Sequence, residues 1–288
     1  MVRKIRDVFP RANGTSSLVS PLSVFSIFLL FALLQGILSG CSIKKGGTDL
    51  TIAGSTTILP IVQAAGEEFE KRSSGVRVLV QGGGSSAGIE AVSTGAADIG
   101  TSSRELTDEE AKKELQDYII AVDAIAVVVN PQNPVDGLSI EELRGIFTGK
   151  ITSWHQVGGR KAPIILVNRD EASGTREAFA KAVLAGEDFT KDAVIQPGSG
   201  QVRAIVGGTP DSIGYISLGY VTKRVKAVNF DGVAPTVENV KAGKYKLQRK
   251  LHLLIRSKPS ALSKKFAGFM LTPEIQKKIV GVQFVPVR

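Results

Sequence analysis

The sequence predicts an α/β protein built as two domains, and three observations predict it. The chain has 288 residues, more than one hydrophobic core usually takes, so two cores are expected. Strand-like and helix-like stretches alternate from Leu50 to Val280, which is the pattern of an α/β fold. Four times, a strand-like stretch ends in glycine, serine or threonine and a helix-like stretch follows at once.

In chain order, Leu50 to Ala53 reads as a short strand. Pro60 to Lys71 reads as a helix, because Ile61, Ala64, Ala65, Glu68 and Phe69 fall at helical spacing. Val76 to Val80 is a second strand, Ala87 to Ser93 a second helix, Ala97 to Gly100 a third strand, and Asp108 to Leu115 a charged helix. Near Asp123 the texture changes to an unbroken apolar strand, Ala124 to Asn130, closed by the loop Pro131-Gln132-Asn133-Pro134. Ser139 to Phe147 is a capped helix, with Ser139 three residues before Glu142. Ile164 to Asn168 is a strand, Thr175 to Leu184 a helix, and Ile213 to Ile216 a strand. Leu251 to Ile255 resumes an apolar strand, and Lys264 to Val280 supplies terminal helices. Crossings between the domains are expected near Ala121–Asp123 and Tyr245–Lys250, giving one domain from 49–122 plus 250–288 and another from 123–249. No repeat of solenoid length interrupts this order.

Residues 1–40 read as an export segment. A basic stretch, Arg3 to Arg11, precedes an apolar run from Val24 to Leu34 and then small residues. A transmembrane anchor is the other reading of that run. Leu38-Ser39-Gly40-Cys41 decides between them, because it resembles the bacterial lipobox, in which the thiol is diacylated and the chain is cut before it. Cys41 is the single cysteine, so no disulfide partner competes for it. Acyl chains on one residue give the multi-chain anchoring that one chain cannot. Residues 41–48 would then tether the fold to a membrane, facing the periplasm or the cell exterior.

Composition removes several functions. Hydrophobic residues make up 43% and charged residues 22% of the chain, which are ordinary globular values. Of the net charge of +9, Arg3, Lys4, Arg6 and Arg11 against Asp7 contribute a third. The other cations are interspersed with acids and no basic run alternates with aromatics, so no nucleic-acid groove is expected. A mildly basic surface can still steer anions.

The four turns carry the functional signal. They are Gly54-Ser55-Thr56-Thr57, Gly84-Ser85-Ser86, Gly100-Thr101-Ser102-Ser103 and Ser173-Gly174-Thr175. Helix starts offer unpaired N–H groups and partial positive charge. Hydroxyls add donors without adding charge, and glycine lets backbone approach closely. Any one such turn is an ordinary cap; four of them with a nearby cation point to an anion. The cation is Arg169, four residues before Ser173. Its guanidinium offers an oxyanion two parallel bonds, and Glu171 is placed to steady it.

These residues resemble the phosphate-binding proteins of phosphate ABC importers, members of the periplasmic binding protein superfamily of the second topological type. The likeness runs from about Thr51 to the C-terminus. It rests on Ala53 to Thr57, Gln81 to Gly88, Asp98 to Arg104, Arg169 to Thr175, and Ile146 to Lys150 followed by Trp154. The resemblance implies an α/β fold of two lobes joined by crossing strands, with inorganic phosphate enclosed between them. By position it implies that Thr56, Thr57, Ser85, Ser103, Arg169, Ser173, Gly174 and Thr175 hold the anion and that Glu171 supports Arg169. It also implies a monomer that delivers phosphate to permease subunits, with no enzyme activity, cofactor or metal. One departure stands out. Well-known members carry a carboxylate in the third turn that accepts the phosphate proton, and Ser103, followed by Arg104, stands there.

Other readings use the same residues. Another tetrahedral oxyanion, or a module that reports phosphate to a sensor, fits the same turns. Gly84-Ser85-Ser86-Ala87-Gly88 fits a nucleophile elbow with Ser86 attacking and His252 as base. Gly82 to Ala87 scans as a weak dinucleotide fingerprint, placed after the second strand rather than the first. Gly145 to Lys150 lacks the spacing of a Walker motif. His155 and His252, the two histidines, are too far apart in sequence to suggest zinc.

Overall fold

The computed structural model describes residues 47–287. The export segment, Cys41 and most of the tether lie outside the described residues. Among the described residues no helix is long and apolar enough to cross a membrane.

The chain begins with β1 (Thr48–Gly54), α1 (Leu59–Lys71), β2 (Val76–Gly82), α2 (Ser85–Thr94), β3 (Ile99–Ser102) and α3 (Asp108–Ala111). The long β4 (Leu115–Val129) leads to β5 (Gly137–Leu138), α4 (Ile140–Phe147), β6 (Ile165–Arg169) and α5 (Gly174–Phe179). Then come β7 (Val194–Gln196), α6 (Ser199–Gly208), β8 (Ser212–Ser217), β9 (Lys226–Ala227), β10 (Asn229–Phe230) and α7 (Val237–Lys241). The chain closes with β11 (Gln248–Arg256), α8 (Ala261–Met270) and α9 (Pro273–Lys278).

Nine strands form one sheet in the order β2-β1-β3-β11-β4-β8-β6-β7, with β9 also beside β4. β1 pairs in parallel with β2 and β3, and β6 in parallel with β7 and β8. Between these parallel groups β11 and β4 run antiparallel to their neighbours. β4 pairs with β11 from Leu115 to Ala124 and with β8 from Ile125 to Val129. One strand therefore passes from the first half of the sheet into the second, and β11 returns beside it.

Each half has its own core. In the first, Leu50, Ile52, Phe69, Ile99, Leu251, Phe266 and Met270 are buried together. In the second, Ile125, Leu143, Phe147, Trp154, Phe179 and Tyr215 are. Tyr215 stacks on Phe179 with ring centroids 4.2 Å apart, and each such buried side chain contributes roughly 1.5–3 kcal/mol through the area it removes from water.

The elements read from the sequence occur in the expected order with three of their boundaries changed, and β5, β7, β9, β10, α6 and α7 had no counterpart in that reading. The charged helix from Asp108 stops at Ala111, where Thr107 and Glu110 form a capping box, instead of reaching Leu115. Glu114 then takes a positive φ of 51°, and the chain turns directly into β4. That strand starts nine residues before the expected apolar run, because Gln116, Asp117 and Asp123 interrupt its apolar residues while β11 supplies the pairing. The helix expected over Thr175–Leu184 is α as far as Phe179 and π from Ala180 to Leu184. α6, with glycines at Gly200, Gly207 and Gly208, has too little apolar periodicity to be read from sequence.

Candidate functional site

The four turns come together. Ser85 Oγ accepts from the Ser103 backbone N–H at 3.0 Å and lies 3.3 Å from Ser103 Oγ, which joins the second turn to the third. Gly174, in the fourth turn, packs so closely here that a Cβ on it would lie 2.2 Å from Ser85 Oγ and 3.0 Å from Ser103 Oγ. Only glycine permits that approach. Thr57 Oγ1, from the first turn, lies 3.2 Å from Thr175 Oγ1 in the fourth. Thr57, Ser85, Ser103, Ser173 and Thr175 are all buried, whereas Thr56 is half-buried. Local chemistry fixes each turn. Ser55 Oγ accepts from Thr57 N–H, Ser102 Oγ donates to the Arg104 carbonyl, and Ser173 caps α5 by accepting from Arg176 N–H. Gly84 caps α2 at a φ of 93°, a backbone region that side chains with a Cβ rarely adopt.

Arg169 ends β6 and is 1% exposed. Its Nε donates to the Gln196 carbonyl at 3.1 Å, and its Nη2 donates to the Pro197 carbonyl at 3.0 Å and to Thr56 Oγ1 at 3.4 Å. Nη1 is buried without a hydrogen-bond partner among the described residues. Burial lowers the pKa of Arg169 from its usual value, and the neighbouring Asp170 opposes that; a guanidinium starts so high that it stays charged. A buried cation with an unused donor is ready to bind an anion, because a buried polar group left unpaired costs free energy.

Glu171 does not support Arg169. It is exposed and makes no ion pair with Arg169 among the described residues; the carboxylate that approaches is Asp170, at 4.0 Å. The turn Asp170–Ser173, closed by Ser173 N–H to the Asp170 carbonyl, aims residue 171 at solvent. Two carbonyls of the segment leading into α6 steady the guanidinium instead.

Two charged residues near these turns were not singled out in the sequence. Arg249, on β11, donates from Nη2 to Thr57 Oγ1 at 3.0 Å and to Asp123 Oδ2 at 2.8 Å, and from Nε to Asp123 Oδ2 at 3.2 Å. Ser217 donates to the other oxygen of Asp123. Burial presses Asp123 and Arg249 toward neutrality, and each holds the other charged. The only sequence signal was position, since both residues lie in the expected crossings. Arg104, beside Ser103, holds Glu110 on α3 and lies 2.6 Å from Glu177 on α5. It pulls the pKa of Glu110 down to about 2.

Clefts flank the closed turns on both sides. One of about 310 Å³ is lined by Thr56, Gly83, Asp170, Pro197 and Tyr220. The other, of about 510 Å³, is lined by Arg104, Glu177, Lys181 and Arg249. Each draws its walls from both halves of the sheet.

The elbow reading loses its geometry. Ser86 Oγ accepts from Arg104 Nη2, and its N–H bonds the Ala172 carbonyl. His252 is bonded through Nδ1 to Asp117 and lies 3.6 Å from Glu105. No hydrogen bond joins Ser86 to His252 among the described residues. Glu105, Asp117 and His252 bring ligand atoms within 4.8 Å of one another, but Asp117 already occupies Nδ1.

Comparisons with known proteins show the family and the fold. A family model described as a PBP superfamily domain matches residues 42–274. The phosphate-binding protein PstS of Bacillus subtilis is 38% identical over 248 residues, covering 85% of this chain and 82% of the relative. Its counterpart in Borreliella burgdorferi is 30% identical over 243 residues, covering 81% and 87%. Among solved structures, a putative phosphate ABC transporter substrate-binding protein with bound phosphate from Clostridium perfringens superposes with a TM-score of 0.81 at 37% identity. It covers 84% of this chain and all of that one. An ABC-type phosphate transport receptor from Vibrio cholerae gives 0.70 at 35% identity, covering 82% and 99%.

Proposed function

The chain belongs to the PBP superfamily and, within it, to the phosphate-binding proteins of ABC transporters, and from that membership we propose that it captures inorganic phosphate outside the cytoplasm and passes it to an importer's permease. The observation that carries this reading is the buried guanidinium of Arg169, its Nη1 without a partner among the described residues, in the same closed region as four hydroxyl-bearing turns. The anion is held by backbone and hydroxyl donors of Thr56 and Thr57, by Ser85 and Ser103, by Ser173, Gly174 and Thr175, and by the Arg169 fork. These donors are preorganised in a water-poor cleft, where charge-assisted bonds are strong.

No chemistry on phosphate is required. Thr56, Thr57, Ser85 and Ser103 stand on the first lobe, and Arg169 to Thr175 on the second. Bonds from both lobes to one anion favour the closed state, and the permease reads that shape. Titration of the purified protein with phosphate, arsenate, sulfate and molybdate tests the ligand. Saturable phosphate binding supports the reading, and binding of molybdate or sulfate in its place would overturn it.

Cys41 carries the lipid. In the host cell, Cys41→Ser leaves the precursor uncut at that site or releases protein that is soluble and still folded. A Cys41→Ser protein that is cut elsewhere yet stays on the membrane would remove this anchor.

A further inference from the structure

Arg249 and Arg169 are tethered in the same way. A guanidinium has a side edge, Nε with Nη2, and an end edge, Nη1 with Nη2. In Arg169 the Nε and Nη2 donors go to the carbonyls of Gln196 and Pro197. In Arg249 they go to Asp123. Both arginines leave Nη1 buried and without a partner among the described residues. The second Nη2 hydrogen of Arg249 reaches Thr57 Oγ1, which in turn lies 3.2 Å from Thr175 Oγ1. The end edge of Arg249 therefore faces the hydroxyl pair where the first and fourth turns meet. The side chain is 4% exposed, so its unused donor cannot be satisfied by bulk water.

Resting on the phosphate reading above, we infer that Arg249 is a second guanidinium ligand of the anion, donating from Nη1 beside Thr57 and Thr175, with Asp123 fixing its orientation. The donor inventory supports the assignment. A buried anion needs its oxygens hydrogen-bonded, and the Nη1 of Arg249, unpaired among the described residues, offers a charge-assisted donor although Asp123 balances its charge. Asp123 neutralises part of Arg249 but also locks its plane, so that the end edge is presented without reorganisation. The place is also mechanical: Arg249 and Asp123 face each other in register where β11 and β4 cross between the halves. An anion that engages Arg249 is thereby bonded to the crossing strands as well as to both lobes.

The test is phosphate titration of the full folded domain with three variants beside wild type. Arg249→Gln alone leaves Asp123 buried and unpaired, so the neutral double variant Asp123→Asn with Arg249→Gln is used, its folding checked by thermal unfolding. It is expected to fold and to bind phosphate about 10- to 100-fold more weakly, the loss of one charge-assisted bond. Arg249→Lys keeps a cation for Asp123 but has one nitrogen to serve both the carboxylate and the anion. It is expected to recover stability more fully than affinity, a split that a merely structural ion pair would not produce. Folded double and lysine variants that bind phosphate as wild type does would overturn the inference. Arg169→Ala runs alongside to separate the two ideas. Absence of phosphate binding by wild type would sink the functional reading. Loss of binding in Arg169→Ala with wild-type binding in both Arg249 variants would sink the role of Arg249 alone.

Discussion

At the scale of single residues, the proposed site gives Ser103 the task of setting which anions are refused. Its buried Oγ lies beside Ser85 Oγ, in the turn where well-known relatives place a carboxylate. A carboxylate only accepts, so it favours a ligand that keeps a proton and repels one that is fully ionised. A hydroxyl rotates to donate or accept, so it penalises sulfate less. Sulfate in large excess is therefore expected to compete measurably in calorimetry, and Ser103→Asp to sharpen the preference for phosphate. An unchanged sulfate-to-phosphate ratio in Ser103→Asp would place selectivity elsewhere. Arg169 and the hydroxyl turns could be picked out as candidates from residue type and local spacing, and the structure brings them together. Glu171 misled because the direction of a side chain two positions along a turn depends on that turn's own hydrogen bonds. Arg249 was silent because its partners, Thr57 and Asp123, lie 192 and 126 residues away in sequence.

At the scale of elements, the second turn shows how backbone shape allows the halves to meet. Gly84 holds a φ of 93° as the cap of α2, and a Cβ there would lie 2.4 Å from the Ala172 carbonyl of the fourth turn. That carbonyl also accepts from Ser86 N–H. Gly84→Ala is therefore expected to weaken phosphate binding by obstructing closure, and to strain the local backbone by about 1 kcal/mol or more. Titration and thermal unfolding without ligand separate the two effects. Affinity equal to wild type would mean the turns do not close this tightly in solution. Most elements were legible from period and capping, as in α4, where Ser139 and Glu142 form the expected capping box. The first part of β4 was not, because Asp117 and Asp123 break its apolar run while partners on β11 supply the pairing. Tertiary pairing overrides local preference there.

At the scale of the whole molecule, one sheet passes through two cores, and the contacts between halves describe a closed form. Tyr220 Oη donates to the Thr56 carbonyl at 2.6 Å, and Arg104 lies 2.6 Å from Glu177. Without an anion between them, the charged and hydroxyl-lined faces lose the bonds that favour closure, so the open form gains population. Small-angle scattering is expected to show the molecule become more compact on saturation with phosphate. An identical radius with and without phosphate would contradict a closing cleft. The expected crossings near Ala121–Asp123 and Tyr245–Lys250 fall on β4 and the start of β11, but length and texture did not show that both halves share one continuous sheet.

The central claim, that a buried guanidinium and hydroxyl turns hold phosphate, is tested most directly by calorimetric titration of wild type and Arg169→Ala with phosphate. The expected result is saturable binding to wild type and a loss of about 2–5 kcal/mol in Arg169→Ala, as for truncating one partner of a buried charge pair. Near-equal phosphate affinity in the two proteins would contradict it.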